Sequence, residues 1–129
     1  MEFQLSTSSR QPIYRQIVEQ VREAIALGRL QQGEQLPSVR QLSRTLVVNP
    51  NTIARAYIEL EREGALHNHQ GKGVFVASPS SDLTKLAKKR RLLEQVDRLL
   101  TEAVHLGFTR RELLDCVNGR ADRFQWEAP

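Results

Sequence analysis

Cysteine is almost absent from this chain of 129 residues. Cys116 is alone, so no internal disulfide can form and a multi-cysteine zinc site is excluded. Long apolar runs are missing as well: none approaches the roughly 20 residues that a membrane-spanning helix needs. Met1 to Ser9 lack a basic segment followed by an apolar stretch, so no secretory signal is read there. These absences point to the cytoplasm and to no membrane partner. The chemistry of catalysis is also thin. There is no glycine-rich phosphate loop ahead of a helix, no paired-acid motif and no His/Cys constellation, so neither an enzyme nor a cofactor or metal is expected. What is present, 40% hydrophobic and 26% charged residues, suits a globular chain of one ordinary domain or two small ones.

The net charge of +4 is only mildly basic, and its distribution says more than its sum. No acidic residue lies between Glu34 and Glu59, whereas Arg40, Arg44 and Arg55 all do. A second acid-free stretch, 64–81, contains Lys72. A surface that faces phosphate needs such windows, because a carboxylate there repels DNA.

Pro12 suits the first position of a helix. From there Ile13, Ile17, Val21 and Ala24/Ile25 recur at helical spacing, and Gly28 can close the helix in a left-handed cap. After the polar stretch Gln31–Glu34, Ser38 and Gln41 make a capping box for a second helix that carries Val39, Leu42 and Leu46. Val47 and Val48 form a turn, and Asn49-Pro50 reads as a cap followed by a first-turn proline. The third helix buries Ile53, Ala56/Tyr57 and Leu60 and ends at Gly64. Two short helices across so brief a turn are a helix-turn-helix pattern. Residues 65–69 and 74–76 then flank Gln70-Gly71-Lys72-Gly73 as a hairpin, which in this position is a wing.

Residues 77–81 are small and polar and mark a domain boundary, giving domains at 1–78 and 79–129. Ser81 or Asp82 can cap a long fourth helix that ends near Gly107. Thr109 and Glu112 form a capping box for a fifth helix with Leu113, Leu114 and Val117. From Leu92 onward the apolar face of the fourth helix, with Leu93, Val96, Leu99 and Leu100, is wider than one neighbour covers and is expected to pair across a two-fold axis. The fold class expected is mainly α with a small β wing: a winged helix-turn-helix followed by a two-helix dimerisation unit. The tail from Phe124 to Pro129 has no assignment.

Pro12-Ile13-Tyr14, Leu36-Pro37-Ser38-Val39-Arg40, Val48-Asn49-Pro50-Asn51-Thr52, Arg55-Ala56-Tyr57, Leu60-Glu61 and Gly71-Lys72-Gly73-Val74-Phe75-Val76 resemble the signature of the GntR family. The Asn-Pro-Asn-Thr opening of the third helix and the short helical tail are similar to its YtrA subfamily. That resemblance implies a dimeric repressor of operons such as those encoding ABC transporters, and a two-fold dimer is expected to read an inverted-repeat operator in double-stranded DNA. It also implies that Ser38 and Arg40 approach DNA, that Asn49, Asn51, Thr52 and Arg55 line the recognition helix, and that Gly71 and Lys72 form the wing tip. Many relatives in other subfamilies carry arginine where Pro50 and Ala54 stand, so their base-reading scheme does not transfer.

Blander readings stand beside these. Asn49 is first of all a cap, Gly71 and Gly73 are turn residues, and Lys88-Lys89-Arg90-Arg91 is a solvated face. His67 and His69 share one face of a strand without a third ligand nearby, which favours a surface pair over a metal site. Cys116, among Leu113, Leu114 and Val117, reads as packing rather than a redox sensor. The rival function is an architectural or protein-interaction winged helix without an operator. An effector, if there is one, is unidentified, and a tail of about fifty residues is too small to enclose a metabolite pocket easily within one subunit.

Overall fold

The computed structural model describes residues 1–78 and 84–126. Its elements are α1 (Ile13–Ala26), α2 (Val39–Leu46), α3 (Pro50–Arg62), β1 (Leu66–His69), β2 (Gly73–Val76), α4 (Lys85–His105) and α5 (Arg110–Ala121). The protein is therefore mainly helical with one small antiparallel sheet, as the periodicities predict. It divides into two compact units, Met1–Ser80 with Gln125–Pro129, and Ser81–Phe124.

The core of the first unit comes from the helical stripes. Ile17, Val18, Val21 and Ala24 of α1 meet Ile53, Ala56, Tyr57 and Leu60 of α3, and Leu42, Leu66 and Val76 close the sides. Fully burying a valine, leucine or isoleucine side chain is worth about 1.5–3 kcal/mol. Capping fixes the helix starts. The Ser38 hydroxyl accepts the Gln41 N–H at 3.1 Å while the Gln41 side chain accepts the Ser38 N–H at 3.0 Å. Pro12 sits one place earlier than expected, at the cap of α1, where its carbonyl accepts the Arg15 and Gln16 amides. Gly28, at φ 76°, supplies the left-handed residue just past the helix.

Two features of this unit go beyond the sequence reading. The N-terminal arm runs along α1, with Phe3 and Leu5 packed on the core. Gln16 and Gln20, one turn apart, each clamp its backbone. Gln20 accepts from the Gln4 N–H at 3.0 Å and donates to the Gln4 carbonyl at 2.7 Å, and Gln16 does the same for Ser6 at 2.9 and 2.8 Å. The wing also has a third edge. β1 and β2 pair with Leu66 opposite Val76 and His67 opposite Phe75, and the polar stretch before α2 lies along β2. There Leu36 N–H donates to the Val74 carbonyl and Val76 N–H to that of Glu34.

The second unit corrects one expectation. α4 is capped by Thr84, whose hydroxyl accepts the Ala87 N–H at 3.1 Å, and not by Ser81 or Asp82, which lie outside the described residues with Leu83. Thr84 is the last of several cap-forming residues in the run, and its extended backbone lets the hydroxyl face the first turn. Leu106 and Gly107 end α4 as expected, and Thr109 and Glu112 form their capping box. The Thr109 N–H bond at 3.0 Å holds the Glu112 carboxyl below the usual range. Ala103 is the only buried residue among those described in this unit. No helix among the described residues is long and apolar enough to cross a membrane.

Candidate nucleic-acid interface

The helix-turn-helix is held by bonds that join its parts. Tyr57 of α3 donates its hydroxyl to the Pro37 carbonyl at 2.7 Å, next to the α2 cap. Burial pushes the Tyr57 phenol up to about 12. Gln35, two residues before Pro37, donates its side-chain amide to the Lys72 carbonyl at 3.0 Å. A single short segment, 35–37, thus ties the start of α2 to α3 on one side and to the wing tip on the other. The elements that carry the expected DNA-contacting residues, α2, α3 and the wing, are linked into one frame.

On that frame Ser38 and Arg40 stand exposed at the start of α2. The Ser38 oxygen is occupied as a cap, but its O–H remains a donor. Asn49 caps α3, accepting the Asn51 N–H at 2.8 Å, which leaves its amide nitrogen as a donor. Asn51 and Arg55 lie on the face of α3 opposite Ile53, Ala56, Tyr57 and Leu60, and both are exposed; Thr52 is half-buried. Gly71, at φ 82°, and exposed Lys72 form the wing tip. Gly73 has a separate duty: at φ 123°, a Cβ there would come within 2.5 Å of the Gln35 amide.

The charges follow the acid-free windows. Among the described residues the ion pairs are Arg22 with Glu19 and Glu63, and Arg62 with Glu59. Arg40, Arg44, Arg55 and Lys72 have no carboxylate partner among them. Arg55 instead lies over the Tyr14 ring, its guanidinium carbon 3.9 Å from the centroid. The turn between α2 and α3 places Val47 at φ 54°, an uncommon conformation for a β-branched residue, with the side chain 90% exposed.

His67 and His69 stand on the exposed face of β1 with ring centroids 4.7 Å apart, and the described residues contain no group of three or more metal-ligating side chains. Lys88–Arg91 lie exposed on α4 and Cys116 lies exposed on α5, so the expectation that Cys116 is packed does not hold within one chain. Leu92, Leu93, Val96, Leu99 and Leu100 are all exposed, between 38% and 58%. Sequence reasoning missed Gln35, Tyr57 and Gln16 as organising residues. Their partners lie on other elements, and only Tyr57 sat in a quoted motif.

The model of the gntR family of bacterial regulatory proteins matches residues 13–76, from α1 through β2. Over 114 residues the chain is 34% identical to the HTH-type transcriptional repressor YtrA of Bacillus subtilis (strain 168), covering 88% of each. The chain belongs to the GntR family. Its membership makes it a DNA-binding transcriptional regulator rather than an enzyme, and the likeness to YtrA extends beyond the family-matched residues. The crystal structure of a transcriptional antiterminator from Listeria monocytogenes EGD-e matches this GntR chain with a TM-score of 0.81 and 31% identity. That match spans 100% of this chain and 97% of the other. The DBD of AraR in complex with operator ORX1 is similar over 60% of this chain and 96% of its own, with 28% identity and a TM-score of 0.53. Pro50 and Ala54 stand in the first turns of α3, which carries no arginine before Arg55.

Proposed function

We propose that this GntR regulator is a homodimeric repressor that binds an inverted-repeat operator in double-stranded DNA and acts in the cytoplasm by occluding a promoter. The observation that carries this reading is the uncovered apolar stripe of α4. Five large side chains, Leu92, Leu93, Val96, Leu99 and Leu100, are exposed in a unit that buries only Ala103 among its described residues. A two-helix unit with so little interior does not support itself; a second copy on the same stripe supplies the missing core. A two-fold pair then carries two recognition helices, and a duplex offers them matching half-sites about one helical turn, ~34–36 Å, or a multiple apart.

In each half-site the start of α3 enters the major groove. Asn51 and Thr52 contact base edges or sugar, and the dipole at the helix start favours phosphate. Ser38, Arg40, the Asn49 amide and Arg55 hold phosphates. Gly71 and Lys72 bring the wing to the adjacent backbone. Operons such as those encoding ABC transporters are the first targets to test, on the resemblance to the YtrA subfamily.

A gel-shift titration against the DNA upstream of the chain's own coding sequence, with unrelated DNA as competitor, tests the reading. Preference for the upstream fragment by ~10³-fold or more, weakening as salt rises, is the expected result. Equal binding to both DNAs fits an architectural protein or an operator elsewhere, and no binding to either overturns the proposal. Leu99→Asp is expected to yield monomers in sedimentation analysis and to lose the tight complex.

A further inference from the structure

We propose that Tyr14 is a positioning residue for DNA binding, acting through Arg55. The inference rests on the reading above that Arg55 meets DNA. Tyr14 lies in the first turn of α1, half-buried against the core, and Arg55 lies on the outward face of α3. The guanidinium carbon sits 3.9 Å from the ring centroid, well inside the range of a cation–π contact.

The neighbouring charges make this contact informative. An arginine on a helix can pair with a carboxylate three or four residues away, and Glu59 is four residues on from Arg55. That carboxylate is instead taken by Arg62 at 3.4 Å. The two arrangements differ in what they leave for a ligand. A carboxylate consumes guanidinium N–H groups in the plane of the group and neutralises its charge. A ring uses only the flat face, so the charge and the in-plane donors stay available. Tyr14 therefore orders a long side chain without spending the part of it that binds phosphate. Part of the ordering cost of the complex is met before DNA arrives.

A double-mutant cycle with Tyr14→Leu and Arg55→Ala tests this. Binding is read by fluorescence anisotropy on the upstream fragment and on an unrelated duplex of the same length, across a salt series. Thermal unfolding of each variant is followed in parallel. Arg55→Ala is expected to weaken both duplexes alike and to lower the salt slope by about 1.8, one phosphate contact being lost from each subunit of the dimer. Tyr14→Leu is expected to lose about two- to fivefold in affinity per subunit, about four- to twenty-five-fold for the dimer, at an unchanged slope, and to lose nothing further when Arg55 is already alanine. Tyr14→Phe keeps the ring and binds like the wild type. An equal loss from Tyr14→Leu with and without Arg55 overturns the inference, as does no loss where Arg55→Ala has one. If Arg55→Ala itself changes nothing, the assignment of Arg55 to DNA fails and the inference falls with it.

Should Tyr14→Leu not fold, a series of fluorinated phenylalanines at position 14 keeps the shape of the ring while draining its face of electron density. Affinity falling stepwise along that series supports the positioning role. A flat series overturns it.

Discussion

Removing one oxygen from Tyr57 tests whether the frame beneath the interface is held as described. The Tyr57 hydroxyl donates to the Pro37 carbonyl at 2.7 Å, and Tyr57 itself is 2% exposed. A neutral hydrogen bond contributes about 0.5–1.5 kcal/mol net. Pro37 is exposed, so water can reach its carbonyl once the hydroxyl is gone, and the loss belongs in the lower half of that range. Tyr57→Phe should therefore cost about 0.5–1 kcal/mol near neutral pH, a drop in Tm of about 2–8 °C for a unit of this size. The pH dependence adds a second, independent test. Burial raises the phenol to about 12 in the folded protein, against about 10 when unfolded. The neutral form is favoured by folding, so this stabilisation is complete below pH about 10 and is lost as pH rises toward 12. Denaturant melts of both proteins between neutral pH and pH about 12 should show the wild type ahead at first and losing its lead through that window. An advantage that persists unchanged across the alkaline range would refute the burial argument. No difference at neutral pH would refute the hydrogen bond.

Gln16→Ala should release the N-terminal arm, since Gln16 makes two bonds to Ser6 and donates a third to the Gln11 carbonyl at 2.9 Å. Those partners are exposed and regain water, so the expected loss is about 1–2 kcal/mol, with hydrogen exchange at the Ser6 amide rising; unchanged exchange would contradict the clamp. Val47→Gly should act in the opposite direction. Relief of the left-handed strain is worth about 1–2 kcal/mol and the added chain entropy costs about 0.5–1 kcal/mol, so a net gain of about 0–1.5 kcal/mol is expected in thermal unfolding. A loss of stability would mean that Val47 makes contacts its exposure does not show.

Local chemistry is readable from the sequence, and tertiary chemistry is not. The Ser38–Gln41 and Thr109–Glu112 boxes and the Asn49 cap close within three residues, so spacing alone identifies them. The stripes of α1 and α3 are legible because each is repeated over several turns. The cap of α4 is not, because the run from Ser80 to Thr84 offers several good cap residues and spacing cannot choose among them. The arm is hidden for another reason. Phe3 and Leu5 give only one period of alternation, and the glutamines that hold the arm lie on another element. The Gln35 and Tyr57 bonds and the Tyr14–Arg55 stack likewise join residues far apart in sequence. The site residues themselves come from the motif; the structure adds which of their donors are already engaged.

That paired recognition helices read a two-fold operator is tested most directly by selection from a random pool of duplex DNA, with no target chosen in advance. The expected product is an inverted repeat with half-sites one helical turn or a multiple apart, about 34–36 Å per turn, enriched by the wild type and not by Leu99→Asp. A pool that binds but yields no repeat after selection would contradict the claim.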